Sequence, residues 1–304
     1  MCVRPSETKI HDSPVTGEGW PSMTHVTKSQ STVASFVCFG HGMGMGTMRA
    51  TTYSFLSSLR FQTVEWSRQV ACVHPLLRAT HFVLPDLPQV INASLRNEFY
   101  EATSRNNRIV TIQASRHTSE SLKQVIREKD CLVDKFLIVG GNTKNNTSPS
   151  SVEAIKTARQ FTENQVWATA NPNDRKSIDS VLYKLDAGAT GIITQPLLSY
   201  PAVEILEGYP REEGGAVYIA GLALPKTSKG LLFWKDLLGQ PELLDDSLFD
   251  KHCDYFIHQG DSLAWAQHEV TRLLEGTNID GIHFMPMSNT ADLISLLTNP
   301  EWPY

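Results

Sequence analysis

From residue 81 onward, short apolar runs alternate with amphipathic stretches of about ten to fifteen residues, and this alternation restricts the fold more than any other feature. The runs HFVLP (81–85), RIVTIQAS (108–115), KFLIVGG (135–141), QVWATAN (165–171), TGIITQP (190–196), VYIAGLAL (217–224) and IDGIHFMP (279–286) read as strands. Between and after them, Leu87–Arg105, Ser119–Lys129, Ser150–Phe161, Lys176–Ala187, Trp265–Leu274 and Asn289–Leu297 read as helices. Their ends carry the expected signals. Thr118-Ser119-Glu120-Ser121 and Ser150 supply N-cap hydroxyls, and Gly188 stops the helix before it. The strands are nearly unbroken Val/Ile/Leu/Phe, as a parallel sheet covered on both faces requires. Seven or eight such units make a closed (β/α)8 TIM barrel the simplest architecture, with an open doubly wound sheet as the alternative. Gly40, Gly42, Gly44 and Gly46 alternate without a third glycine in the dinucleotide-binding place, which counts against the open sheet.

The N-terminal part is irregular. Residues 1–32 are rich in Ser, Thr and Pro and read as a disordered tail, leaving 33–304 as a single barrel domain. VASFVCFGHGMGMG (33–46) is a short β-like run that breaks into glycines, and the apolar spacing over 50–80 predicts one or two helices closing at His74-Pro75.

A formal net charge of −5, from 27 Lys+Arg and 32 Asp+Glu, offers no basic surplus for nucleic acid. The five cysteines are scattered, without a CxxC pair, as expected of reduced thiols rather than a disulfide framework or zinc site. No run is long and apolar enough for a membrane span, and the first residues show no apolar secretory core, so the expectation is a cytoplasmic protein. A homo-oligomer stays open. No GxSxG, Walker loop or HExxH occurs, and His252, Cys253, His258 and His268 lack a repeated ligand spacing, so no metal is expected.

Three blocks carry a resemblance. LDAGATGIITQPLL (185–198) closes a helix with Asp-Ala-Gly-Ala and ends the next strand with Ile-Thr-Gln. IDGIHFMPMSN (279–289) is the second block, and RIVTIQASRHT through FLIVGGN (108–142) the third. With their spacings they resemble the methylenetetrahydrofolate reductases, a family of flavin-binding barrels, over roughly residues 80–300.

The resemblance implies roles for polar groups at strand ends, where barrel chemistry gathers. It implies that Gln195 contacts folate and flavin and that Asn142 stands at the family's catalytic Asp, the two residues expected to be catalytic. Asn142 keeps the shape and hydrogen bonding of that Asp without its charge. Gly140 and Gly141 replace the Arg-Gly that precedes it, and a plain turn is the competing reading. Gln113 stands at a flavin-contacting His. Lys184 matches a Lys near the flavin phosphates, or else is a solvated charge favoured by the helix end. Asn171, Asn173 and Asp174 fall at the adenine-end loop, where Asn-Pro-Asn-Asp is also ordinary turn chemistry. His283 matches a family His and reads better as a core residue. Two positions depart outright: Leu84-Pro85 at a Thr-x-Gly, and Val37 where the first strand carries a Glu, the family's proposed general acid.

Two functions follow. One is reduction of 5,10-methylenetetrahydrofolate to 5-methyltetrahydrofolate by NAD(P)H through FAD, with Gln113, Gly141, Asn142, Asn171, Asp174 and Lys184 holding the cofactor. The other is a flavin-free barrel acting as a folate-binding, regulatory or assembly subunit.

Overall fold

The computed structural model describes residues 61–298, apart from Arg78, Val90, 142–146, Arg175, 198–199, 212–214, 239–261 and 287–288. Eight parallel strands form a closed barrel in sequence order. They are β1 Phe61–Glu65, β2 His81–Leu84, β3 Arg108–Gln113, β4 Lys135–Val139, β5 Gln165–Ala170, β6 Gly191–Pro196, β7 Val217–Ala223 and β8 Gly281–Met285. Nine helices are described around it: α1 Arg68–Val73, α2 Ala93–Ala102, α3 Ser119–Lys129, α4 Ser151–Phe161, α5 Ser177–Asp186, α6 Tyr200–Glu207, α7 Ser228–Leu237, α8 Ser262–Gly276 and α9 Thr290–Thr298. None is long and apolar enough to cross a membrane.

Local chemistry starts the helices where the sequence indicates. Thr118 and Ser121 form a reciprocal capping box at α3, and Ser150 and Glu153 form another at α4, so the first free N–H groups of both helices find acceptors. Alternate strand residues then divide between two cores. Val64, Phe82, Val110, Phe136, Ile138 and Val166 face outward and pack with helical side chains such as Phe99, Ile126, Ile155 and Val181. Val83, Ile109, Leu137, Trp167, Ile193 and Ile219 fill the barrel interior.

Aromatic and charged side chains plug the N-terminal end of the barrel. Phe61 lies 5.4 Å from Trp167 edge-on and 5.1 Å from His81. Lys135 pairs with Asp134, reaches to 3.3 Å from His81 Nε2 and sits 5.6 Å over the Trp167 ring. Burial, with Lys135 adding to it, pushes His81 down to about 4, so its imidazole is neutral. Trp167 is fully buried, and a fully buried aromatic of this size contributes on the order of 3 kcal/mol. In barrels of this kind chemistry gathers at the opposite, C-terminal ends of the strands.

The expected strands from residue 81 onward are present, each trimmed by a residue or a few. The N-terminal expectation is corrected. Residues 61–65 form the first barrel strand, and helix follows only over Arg68–Val73, with a single 3-10 turn at His74–Leu76. β1 pairs with both β2 and β8, so the ring is complete without the run at 33–46. That run and the 1–32 tail lie outside the described residues. Two helices, α6 and α7, also occur where the sequence reading placed none.

Candidate functional site

The rim is built by residues that end strands on the inward face. On β1, Phe61, Thr63 and Glu65 share that face, and Thr63 Oγ1 lies 2.8 Å from His283 Nδ1 of β8. His283 is buried one layer below the rim, and desolvation pushes it down to about 4. Its ring is therefore neutral and committed to packing and to Thr63. Above this pair comes Glu65, the last residue of β1, partly exposed to the mouth. Desolvation alone pushes its carboxyl up from 4.5 to about 7.

Glu65 is a strand-end acid that the sequence reading did not single out. The first-strand acid was sought at Val37, which lies outside the described residues, whereas the first strand is Phe61–Glu65 and does end in a carboxylate. The available signal was the alternation in FQTVEW, with Phe61, Thr63 and Glu65 on one face and Gln62, Val64 and Trp66 on the other.

Gln195 is the last residue but one of β6, and its side-chain oxygen is buried without a hydrogen-bond partner. Its backbone is held tightly. The β6–β7 register shifts between Ile193 and Pro196, and Gly221 N donates to Thr194 Oγ1 at 2.8 Å. Asn173 Nδ2 donates to the Pro196 carbonyl at 2.9 Å, and Arg272 of α8 donates to the Leu197 carbonyl at 2.5 Å. Arg272 is itself paired at 2.6 Å with buried Glu269. The strand end is thus fixed on several sides while one amide oxygen stays without a donor.

Gln113 ends β3. Its Nε2 donates to Ser115 Oγ at 3.1 Å, and its backbone N–H donates to Asp86 Oδ2 at 3.0 Å, which ties the ends of β2 and β3. Gly141 closes over this pair at φ +84°, where a Cβ would stand 2.1 Å from Ser115 Oγ and 2.5 Å from Gln113 Nε2. Gln113 and Gly141 are thus neighbours, as a shared role needs. Asn142 lies outside the described residues. Leu84 faces the outer core, so no β2 side chain at that position reaches the mouth.

The remaining expected residues are engaged by the protein itself. Asn171 Oδ1 accepts from Asn173 N at 3.2 Å and Asn173 Nδ2 at 3.0 Å, and Asp174 Oδ1 accepts from Lys176 N at 2.9 Å. These bonds build the turn from β5 into α5. Lys184 is buried on α5 and donates to the Thr169 carbonyl at 2.7 Å, and desolvation pushes it down to about 8. Among the described residues no group of three or more His, Cys, Asp or Glu is gathered to hold a metal ion.

No protein-family model matches the chain, and no curated protein matches it by sequence. Solved structures do. An uncharacterized protein from Clostridium thermocellum that binds two copies of 5-methyl-5,6,7,8-tetrahydrofolic acid is similar at a TM-score of 0.59 and 15% identity, covering 83% of this chain and 99% of that one. A 2,3-dimethylmalate lyase of the PEP mutase/isocitrate lyase superfamily is similar at a TM-score of 0.46 and 12% identity, covering 83% and 85%. The chain is thus a (β/α)8 barrel with a plugged N-terminal end and a polar C-terminal mouth, sharing its fold with a protein that binds a reduced folate.

Replacing Gln195 by Leu tests whether its amide is kept for a ligand. Removing an unsatisfied buried oxygen is expected to stabilise the free protein by about 1 kcal/mol, read as a higher urea midpoint. A lower midpoint would mean that the amide serves the fold instead.

Proposed function

We propose that this barrel binds a reduced folate in its C-terminal mouth and that Glu65 is the group that exchanges a proton with the bound ligand. The observation that carries the reading is the Glu65 carboxyl, which ends β1 at the rim and is pushed up to about 7. Near that value a carboxyl is divided between its acid and base forms at neutral pH, as general acid–base catalysis requires. Two further points support it. Gln195 offers an unpartnered amide oxygen on the far side of the ring of strands, and a barrel similar to this one binds 5-methyl-5,6,7,8-tetrahydrofolic acid. In this reading the protein is a flavin-free folate-binding barrel, with a regulatory or assembly role within its reach.

The second reading makes the chain a methylenetetrahydrofolate reductase using FAD and NAD(P)H, and Glu65 favours it. Opening the five-membered ring of 5,10-methylenetetrahydrofolate requires a proton on the departing nitrogen, and Glu65 is an acid at the mouth that can supply one. FAD would supply the hydride chemistry. Gln195, Gln113 and Gly141 suit the polar edge of a flat ring. The phosphate end fits poorly, because Lys184 is turned onto the Thr169 carbonyl and Asn171 and Asp174 are spent on their turn.

Calorimetric titration with 5-methyltetrahydrofolate on either side of pH 7 checks the first reading. The wild-type affinity is expected to vary several-fold across that pH, and Glu65→Gln is expected to bind with a flat profile. Identical profiles would remove Glu65 from the account, and an absence of binding would remove the folate reading. Absorbance separates the second reading: a yellow protein that releases flavin on denaturation supports the reductase, whereas a colourless protein that refuses reconstitution with FAD rejects it.

A further inference from the structure

Asn173, in the turn after β5, is 4% exposed and holds its carboxamide in one orientation. Its Nδ2 donates to two acceptors, Asn171 Oδ1 at 3.0 Å and the Pro196 carbonyl at 2.9 Å. Turning the amide over would set its oxygen against both of those oxygens, so the bonds fix which end is which. The consequence is an Asn173 Oδ1 that is buried and has no partner. Pro196, which Asn173 holds, directly follows Gln195, whose Oε1 is the second buried oxygen without a partner at this edge of the rim. Each such acceptor costs stability while it stays unsatisfied. Two of them on adjoining strand ends call for a ligand that brings donors, and they disfavour one that presents carbonyl or carboxylate oxygens there.

We propose that Asn173 is a specificity-determining residue, its free carbonyl oxygen acting with that of Gln195 to accept two N–H donors from one edge of a planar ligand, an amino group beside a ring N–H. The inference rests on the folate reading, since a reduced pterin presents such an edge in its 2-amino group and N3–H. It deepens that reading by naming the part of the ligand that is read and the residue that reads it. Glu65, on β1, lies four strands from the Asn173 turn after β5 and three from Gln195 on β6, so the edge read by the amides and the proton exchange fall on different sides of the barrel.

The test is a cycle between ligand and protein by isothermal titration calorimetry. The probes are 5-methyltetrahydrofolate and the same compound with its 2-amino group replaced by methyl. Wild-type protein is expected to prefer the amino compound by about tenfold, equivalent to 1.4 kcal/mol. Asn173→Ala is expected to bring that ratio close to one. Slackening of the turn would weaken both ligands alike and leave the ratio unmoved, so a ratio in Asn173→Ala equal to that of wild type overturns the inference while the folate reading stands. Equal affinities in wild-type protein overturn it without any variant, since the edge is then not read. Failure of wild-type protein to bind 5-methyltetrahydrofolate overturns both.

Discussion

Closure of β1 onto β8 is the contact on which the rest of the barrel depends. Phe61 pairs with Gly281 and Thr63 with His283, joining segments some 220 residues apart in a parallel ladder. The approach is close enough that a Cβ on Gly281 would stand 2.1 Å from the Phe61 carbonyl oxygen, so only glycine permits it. This seam fixes the register of β1, and register decides which of its side chains face inward. With Phe61, Thr63 and Glu65 inward, the same strand supplies part of the lower plug, a hydrogen bond in the middle layer and the acid at the rim. A slip by one residue would put Gln62 and Val64 in their places.

The two ends of the barrel show opposite uses of burial. At the N-terminal end, His81, Lys135 and Asp134 are in contact with one another, and His81 is neutral. At the rim, Glu65 is desolvated with no opposite charge among the causes of its raised pKa, and the oxygens of Gln195 and Asn173 have no donors. Satisfied polar groups stabilise a fold, whereas unsatisfied ones cost stability. The mouth therefore carries the cost and the plug does not.

Much of this was legible in the sequence, for reasons that particular segments make plain. KFLIV and GIITQP stand out because both faces of a parallel strand are buried, so the apolar run is continuous. Helices α3 and α4 are announced by capping residues that the structure uses as caps. β1 escaped because its inward face carries Thr63 and Glu65 and its outward face Gln62, so the strand that bears the acid lacks the hydrophobic signature that reveals the others. Gln195 stood out because it lies near the end of an otherwise apolar strand, inside a block that carries the family resemblance. Lys184, by contrast, could not be assigned from its place near a helix end, since nothing local indicates that its ammonium turns inward to a carbonyl.

The central claim is that the first strand ends in a carboxyl held ready to exchange a proton with a folate. Carbon-13 NMR of glutamate-labelled protein, with Glu65→Gln to assign the signal, tests it directly. The Glu65 carboxyl is expected to titrate near 7, and its titration is expected to move when 5-methyltetrahydrofolate is added. A carboxyl that titrates near 4.5 and does not respond to the folate would contradict it.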